Sequence, residues 1–515
     1  MAELSIGRSL RLWIPVALVT GLLSGLAAAA FFWLLTVATR YLLVELTGYH
    51  PAELASDGGA PAIGSPHWLV LPLLVAAGAL VATVLVLRVA PETSGHGTDA
   101  AIHAAHHDPT GMRARVPAVK MLASAILIGS GGSAGSEGPI AQITAALGSI
   151  VARVSRLKPE QARITVSVGL ASGVGAIFRS PLAGALLGAE LLYRADIAAA
   201  VIVPALISSA VAFGVFGLFH GFDPLFGMVD GVTGADPLLW LALPLIGVLA
   251  GLLARLYAVV FYGTAAVFAS RLVTRTLRIP RLLRPAIGGL LVGVIGLAIP
   301  DILGTSYGTA QHMLDGRALL GMSLWLVLAI PLVKILTTSL SVASGGSGGI
   351  FGPGLVIGGT AGAALWRLLE PYGLATESPV PFVLVGMAAC LGSIIHAPLA
   401  LTVMVAETTG STAVLLPAMA ATALAALIVG DSTLYRSQLR DRSESGLPEP
   451  TSVGPASTES TPDKPLAIRV IDGRPLEGQP VDGHVVAGRS DEIRTAGSVP
   501  PARTPAEWPE TDRAT

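Results

Sequence analysis

One cysteine, Cys390, occurs in 515 residues, so no intrachain disulfide can form. Charge is scarce: Asp, Glu, Lys and Arg make up 13% of the chain, against roughly 25% for soluble globular proteins. The 33 acidic and 32 basic residues leave a net charge of −1, with no basic surplus to hold nucleic acid. Neither glycine-rich loop ends in Gly-Lys-Ser/Thr, which excludes a P-loop nucleotide site. The chemistry of an enzyme is also thin. Its sole candidate is His103, His106 and His107, at i, i+3 and i+4 near Asp99 and Asp108. That group reads as the polar end of a helix at a water interface rather than as a closed metal site. The expectation is a non-enzyme without metal or cofactor.

What the chain has in excess is apolar sequence. Hydrophobic residues make up 52% and mean hydropathy is +0.71. Apolar runs recur from residue 12 to residue 430. Those at 12–38, 66–90, 197–220, 237–270, 318–343 and 411–430 approach or exceed the roughly 20 residues a membrane span needs. Those at 117–128, 140–152, 181–193 and 397–406 are short. Short runs of this kind predict broken or re-entrant helices, which a bilayer tolerates only where protein or a water cavity covers the backbone. The expected fold class is an all-α polytopic membrane protein. Arg153, Arg156, Lys158 and Arg163 form one basic group, Arg271 to Arg284 a second, and Arg436, Arg440 and Arg442 a third. The positive-inside rule puts these groups, and the N-terminus with Arg8 and Arg11, on the cytoplasmic side of the cell membrane. The run after Arg11 reads as a first membrane helix rather than a cleaved signal.

The chain repeats itself. Residues 117–139 read PAVKMLASAILIGSGGSAGSEGP and residues 331–353 read PLVKILTTSLSVASGGSGGIFGP, at a constant offset of 214 with 11 of 23 positions identical. Pro181-Leu182-Ala183 precedes Glu190 at the spacing by which Pro398-Leu399-Ala400 precedes Glu407, and Gly97-Thr98 echoes Gly308-Thr309. The copies cover roughly 67–220 and 285–430, joined through a long apolar segment near 237–270 and a loop at 222–236. Paired interrupted segments in corresponding halves point to a transport site near the bilayer midplane. Residues 1–442 are taken as the membrane domain. The tail, 443–515, carries 12 acidic and 7 basic residues. It lacks the apolar periodicity to offset its ordering entropy, so the expectation is a largely disordered cytoplasmic segment with at most a small hairpin at 466–487.

The repeated loop carries its own chemistry. In Gly135-Ser136-Glu137-Gly138-Pro139, proline suits the first position of a helix, so a helix is expected from Pro139 through Ala152. Its first amides have no internal partner and its dipole is positive at that end. Gly132, Gly135 and Gly138 let backbone approach a ligand closely. The result is an anion cradle without a full positive charge, and conduction needs sites weak enough to be left. In the second copy, Gly349-Ile350-Phe351-Gly352-Pro353, Phe351 stands where Glu137 stands in the first. An intramembrane acid is a functional candidate; Glu137 is expected to compete with the transported anion and to leave on protonation. Glu190 and Glu407 read as structural hydrogen-bond partners, and Lys120 and Lys334 as helix-end anchors that snorkel.

Together, Ser94-Gly95-His96-Gly97, Gly135–Pro139 and Gly349–Pro353 resemble the three signature loops of the CLC chloride channels and chloride/proton exchangers, over roughly residues 10–440. The resemblance implies two inverted-topology repeats whose broken helices meet at the midplane, and a homodimer with a separate pore in each subunit. It implies chloride as transported ligand, Glu137 as external gate and proton acceptor, and an anion site formed by Ser94, Gly138, the amides of Ile350 and Phe351, and the Tyr435 hydroxyl. Three departures stand out. Ser136 replaces the usual Arg or Lys. His96-Gly97 replaces the usual Ile-Pro. Leu191 stands where many exchangers carry a second, inward-facing glutamate. The last leans toward uncoupled conduction of chloride, other halides or nitrate, with a chloride/proton antiporter as the alternative. Ser94 favours this pore over a fluoride-selective one. A secondary transporter of an organic anion is more distant, since it would want a cationic clamp that these loops lack.

Overall fold

The computed structural model describes residues 2–54, 62, 64, 67, 69–229 and 236–445. The tail from 446 onward, its candidate hairpin, and residues 230–235 of the connecting loop lie outside the described residues. Among the described residues every regular element is a helix, and the glycine loops are joined by isolated bridges such as Gly135 to Gly349.

The solvent this surface is built for is hydrocarbon. Leu73, Leu218, Trp325 and Leu427 are largely exposed, while Ser24, Ser124, Thr144, Thr337 and Thr360 are fully buried. Leucine outside and small polar residues inside is the pattern of helices packed in lipid, where hydrophobicity does not separate core from surface. Five helices are long and apolar enough to cross a membrane: Arg11–Thr47, Val70–Val89, Ala199–His220, Pro237–Thr276 and Leu324–Val342. The first outruns its apolar run because a π-helical turn at Thr39–Val44 carries it on until Gly48, with φ 71°, ends it. The run at 411–430 is a correction. Its helix is only Leu415–Val429, 15 residues long, set between Gly410 and Gly430, both with positive φ. The short runs become Val116–Gly129, Glu137–Val154, Pro181–Glu190 and Pro398–Thr409.

The halves repeat in the order of eight elements, with Gly316–Gly321 and Glu370–Tyr372 added in the second. Val70–Val89, Pro91–Thr93, Thr98–His107, Val116–Gly129, Glu137–Val154, Pro159–Ile177, Pro181–Glu190 and Ala199–His220 make the first. Arg284–Ala298, Pro300–Ile302, Tyr307–His312, Leu324–Val342, Phe351–Leu369, Val380–Ile394, Pro398–Thr409 and Leu415–Val429 follow in the same order. In each half the helix after the glycine loop packs along the next one. That approach depends on glycine: a methyl on Gly148 would strike the Thr165 carbonyl, and one on Gly386 the Gly358 carbonyl.

The relation between the halves is written in hydrogen bonds. Gly135 N–H donates to Gly349 O and Gly349 N–H to Gly135 O, both at 2.8 Å, as an antiparallel bridge. An antiparallel pair is locally twofold, and these residues are repeat mates, so the copies meet inverted. Neighbouring bonds keep the symmetry. Ser133 Oγ lies 3.2 Å from Thr338 Oγ1, and Ser347 Oγ lies 3.1 Å from Ser124 Oγ. Ala134 N–H donates to Gly304 O at 3.2 Å, and Gly348 N–H to Gly95 O at 3.3 Å.

The two lysines correct an expectation. Neither snorkels; both are fully buried. Lys120 Nζ donates to the carbonyls of Thr93 (3.0 Å) and Gly95 (2.7 Å). Lys334 Nζ donates to the carbonyls of Ile302 (3.1 Å) and Gly304 (3.0 Å) and to Ser306 Oγ (2.7 Å). Each ammonium holds the loop ahead of a short helix in its own half. A buried charge is tolerated where it is hydrogen-bonded.

Candidate functional site

The site forms where the two glycine loops meet. Gly131 (φ 100°) and Gly345 (φ 112°) turn the chain at equivalent points, and each loop then opens a helix toward the junction. The first helix starts at Glu137 rather than at Pro139, and ends at Val154. Its N-cap, Ser136, gives no side-chain cap, because Ser136 Oγ donates instead to Glu137 Oε1 at 2.7 Å.

The Glu137 carboxylate leaves its own half. Oε2 accepts the Gly352 N–H at 3.1 Å, at the N-terminus of the Phe351–Leu369 helix. Oε1 also accepts a short hydrogen bond from the Tyr307 hydroxyl. The N-cap of that second helix, Ile350, supplies no side-chain cap, so a carboxylate from 215 residues away stands at its positive end. Glu137 is 1% exposed, and no ion pair to it occurs among the described residues. Its carboxyl group is held by two hydroxyls and an amide at the positive end of a helix.

Of the predicted residues, Glu137, Gly138, Ile350 and Phe351 come together here. Gly138 lies against Gly349 and the His96 carbonyl, with no room for a side chain. The Ile350 carbonyl accepts the Tyr257 hydroxyl at 3.0 Å, which fixes the turn that presents the following amides. Phe351 packs on Phe178 with ring centroids 5.5 Å apart. Tyr435 is fully buried on the irregular segment after Leu415–Val429. That segment is anchored by Leu434 N–H to Ile394 O (3.3 Å), by Tyr262 OH to Leu434 O (2.7 Å), and by Ser437 to the Asp99 carboxylate.

Ser94 lies on the loop ahead of the Thr98–His107 helix. It is exposed and its hydroxyl donates to Gly345 O at 3.2 Å. The residue of that loop that meets Tyr435 is His96, with ring centroids 5.4 Å apart. Tyr307 and Tyr257 were not singled out in the sequence. Tyr307 immediately precedes the Gly308-Thr309 echo, which was the available signal.

Leu191 is buried and its carbonyl accepts Gln438 Nε2 at 3.0 Å. The acid beside it, Glu190, turns away to the amides of Ala400 (2.8 Å) and Leu399 (3.3 Å). Of the three histidines, His106 is buried with Nε2 3.0 Å from Leu192 O, while the rings of His103 and His107 lie 4.4 Å apart.

Comparison with known proteins gives a consistent family. Residues 78–430 match the model of the voltage gated chloride channel family. A putative chloride channel protein ClcB-like of Ralstonia nicotianae is 33% identical over 321 residues, covering 60% of this chain and 71% of that one. A voltage-gated ClC-type chloride channel ClcB of Escherichia coli is 32% identical over 325 residues, covering 62% and 74%. Among solved structures, a slow cyanobacterial Cl−/H+ antiporter superposes with a TM-score of 0.66 at 22% identity, covering 81% of this chain and 94% of that one. A CLC-type fluoride/proton antiporter gives 0.67 at 19% identity, covering 84% and 98%. At those identities the structures speak for the fold.

Proposed function

Because the chain belongs to the voltage-gated chloride channel family, we propose that it carries chloride across a membrane along a path that the Glu137 carboxylate opens and closes. The supporting observation is the seat of that carboxylate on the Gly352 amide. A helix N-terminus that holds one anion can hold another. While Glu137 is ionised it fills the position; once protonated it loses its charge-assisted bond, and chloride takes the amides of Ile350, Phe351 and Gly352 in its place. Acid on the side that reaches Glu137 therefore opens the path. Among the described residues no cationic side chain forms an ion pair with Glu137, so the seat holds an anion without a direct contact to a full positive charge and keeps it releasable.

The reading favours chloride movement without obligatory proton exchange, since the inner position is Leu191 and Glu190 is spent on the amides of the opposite half. Chloride/proton exchange is the second reading, favoured by the fact that the gate is itself a carboxyl group able to carry a proton. The protein is proposed to lie in the cell membrane as a homodimer with both termini cytoplasmic, and to transport bromide and nitrate besides chloride.

The test is chloride flux from proteoliposomes with potassium and valinomycin setting the voltage and external pH recorded. Chloride flux without uphill proton movement supports the channel reading. Proton uptake against its gradient, abolished in Glu137→Gln, would move the protein to the exchangers. No halide flux from inserted, folded protein would refute transport.

A further inference from the structure

The loop before the Thr98–His107 helix places an imidazole, not a hydroxyl, at Tyr435. His96 lies against Tyr435 on one side and Phe261 on the other, with centroids 5.4 and 6.0 Å apart. Its Nδ1 is buried and has no hydrogen-bond partner. The Tyr435 hydroxyl, on a side chain with no solvent exposure, likewise forms no full hydrogen bond; Thr98 is its polar neighbour. Two buried polar groups left short of partners side by side mark a place where a third party belongs. The helix that follows adds its positive end: Gly97, at φ 87°, is its N-cap and supplies no side chain to it.

Other candidates for that third party are committed elsewhere. The Asp99 carboxylate accepts from Ser437 N (2.8 Å) and Oγ (2.9 Å). The Lys120 ammonium is held by two loop carbonyls. The Ser94 hydroxyl is bonded to Gly345 O. A cavity of about 630 Å³, lined by Ser94, His96, Asp99, Arg113, Gln142 and Ser437 among others, leads to this loop. It is large enough for a hydrated halide.

We propose that His96, paired with the Tyr435 hydroxyl, is the side-chain ligand of a small anion at the cavity end of the transport path, and that Ser94 is not. This rests on the chloride-transport reading above. The imidazole offers an N–H where a hydroxyl was expected, so it sets which anion is preferred as well as how tightly it is held. A ring N–H is a more rigid donor than a rotating hydroxyl, and it favours spherical halide over planar nitrate.

The experiment is isothermal titration of the purified full-length protein in detergent with chloride, bromide and nitrate, alongside flux in liposomes. His96→Leu is expected to weaken chloride binding by on the order of tenfold or more, the loss of one donor to a charged partner. Ser94→Ala is expected to stay within about twofold, since its hydroxyl bond is to protein. His96→Ser is expected to fold and to shift the chloride-to-nitrate preference, which a merely structural histidine would not do. If His96→Leu does not fold, His96→Gln replaces it and is expected to bind chloride while altering the same preference. Unchanged affinity and preference in the His96 variants beside a working wild type would overturn this inference alone. So would a loss confined to Ser94→Ala. No anion binding or flux in the wild type would overturn the transport reading and this one with it.

Discussion

Glu190 and Glu407 each cap the helix that carries the other. Glu190 ends the Pro181–Glu190 helix and accepts the amides of Ala400 (2.8 Å) and Leu399 (3.3 Å) at the start of Pro398–Thr409. Glu407, on that second helix, accepts the amides of Ala183 (2.9 Å) and Leu182 (3.2 Å) and the Ser180 hydroxyl (2.5 Å). The two helices run antiparallel and exchange carboxylates, so the inverted repeat locks itself at a second point away from the glycine loops. Each acid answers amides that in lipid have no water to turn to.

Glu190→Ala or Glu407→Ala should therefore destabilise the protein by about 1–3 kcal/mol, because each strands two helix-start amides that a bilayer cannot hydrate. Glu190→Gln retains an acceptor and should cost less. Ser180→Ala should cost about 1 kcal/mol, the net worth of one hydrogen bond. Thermal unfolding in detergent measures the order. An order in which Glu190→Gln is as damaging as Glu190→Ala would indicate that charge at this position, and not capping, is what matters.

Tyr307→Phe bears on the gate without touching its acid. It removes the hydroxyl that donates to Glu137 Oε1 and keeps the ring packed on Phe178 and Phe226. With one donor fewer, the carboxylate is held less firmly. The direction follows from which form the hydroxyl favours: donating to the ionised carboxylate stabilises the closed state, so its loss opens the path. Chloride flux at neutral pH should rise by about tenfold to 150-fold, as expected for a hydrogen bond of roughly 1.5–3 kcal/mol to a charged group. The flux gained on acidification should shrink to match. Unchanged neutral flux would show that Tyr307 does not hold the gate.

Lys120 and Lys334 should prove structural. Methionine at either position fills the volume but removes the ammonium from the loop: Thr93 O and Gly95 O keep only Ser347 Oγ and Gly348 N–H, Gly304 O keeps Ala134 N–H, and Ile302 O loses its lysine donor. Each lost bond from a charged donor is worth about 1.5–3 kcal/mol, so either variant should express poorly and lose roughly 2–4 kcal/mol where it folds. Arginine should not rescue, since its planar fork does not fit a site built around a point charge. A Lys120→Met protein that is stable yet inactive would place that lysine on the anion's path.

These lysines also show where sequence reading stopped. The repeat, the loops and Glu137 were legible because Gly, Pro and a fixed offset are local marks. The destination of the Glu137 carboxylate was not, since Gly352 lies 215 residues away and only the inverted meeting of the halves brings it near. Lys120 and Lys334 were misread because a long side chain at the start of an apolar run fits the snorkelling rule, and only the fold reveals the carbonyls around it. The helices Pro159–Ile177 and Val380–Ile394 did not stand out either. The first is rich in Ser, Gly and Ala, residues that serve close packing and blur an apolar run. His96 was noticed as a departure from the family loop, but its contact with Tyr435 is long-range and needed the structure.

The bridge between Gly135 and Gly349 yields the most direct check of the whole arrangement. Neither residue has a positive φ, so the demand for glycine comes from proximity. A methyl on Gly349 would lie 2.7 Å from the Gly135 carbonyl and 2.8 Å from the Gly138 amide, and one on Gly135 would press on Glu137 Oε2 and on Pro353. Gly349→Ala should cost about 1–3 kcal/mol as an overpacking change and should spread the loops that seat the gate. Gly135→Ala should additionally push the carboxylate off Gly352 and raise basal flux in whatever protein folds. The control is Gly214→Ala, in the middle of the Ala199–His220 helix, where a methyl meets nothing within 4 Å. It should be neutral, or stabilising by up to about 1 kcal/mol through helix propensity. Thermal unfolding of the three variants separates the cases. If Gly349→Ala is as harmless as Gly214→Ala, the two loops do not meet at this bridge, and the seat of Glu137 on the opposite half loses its basis.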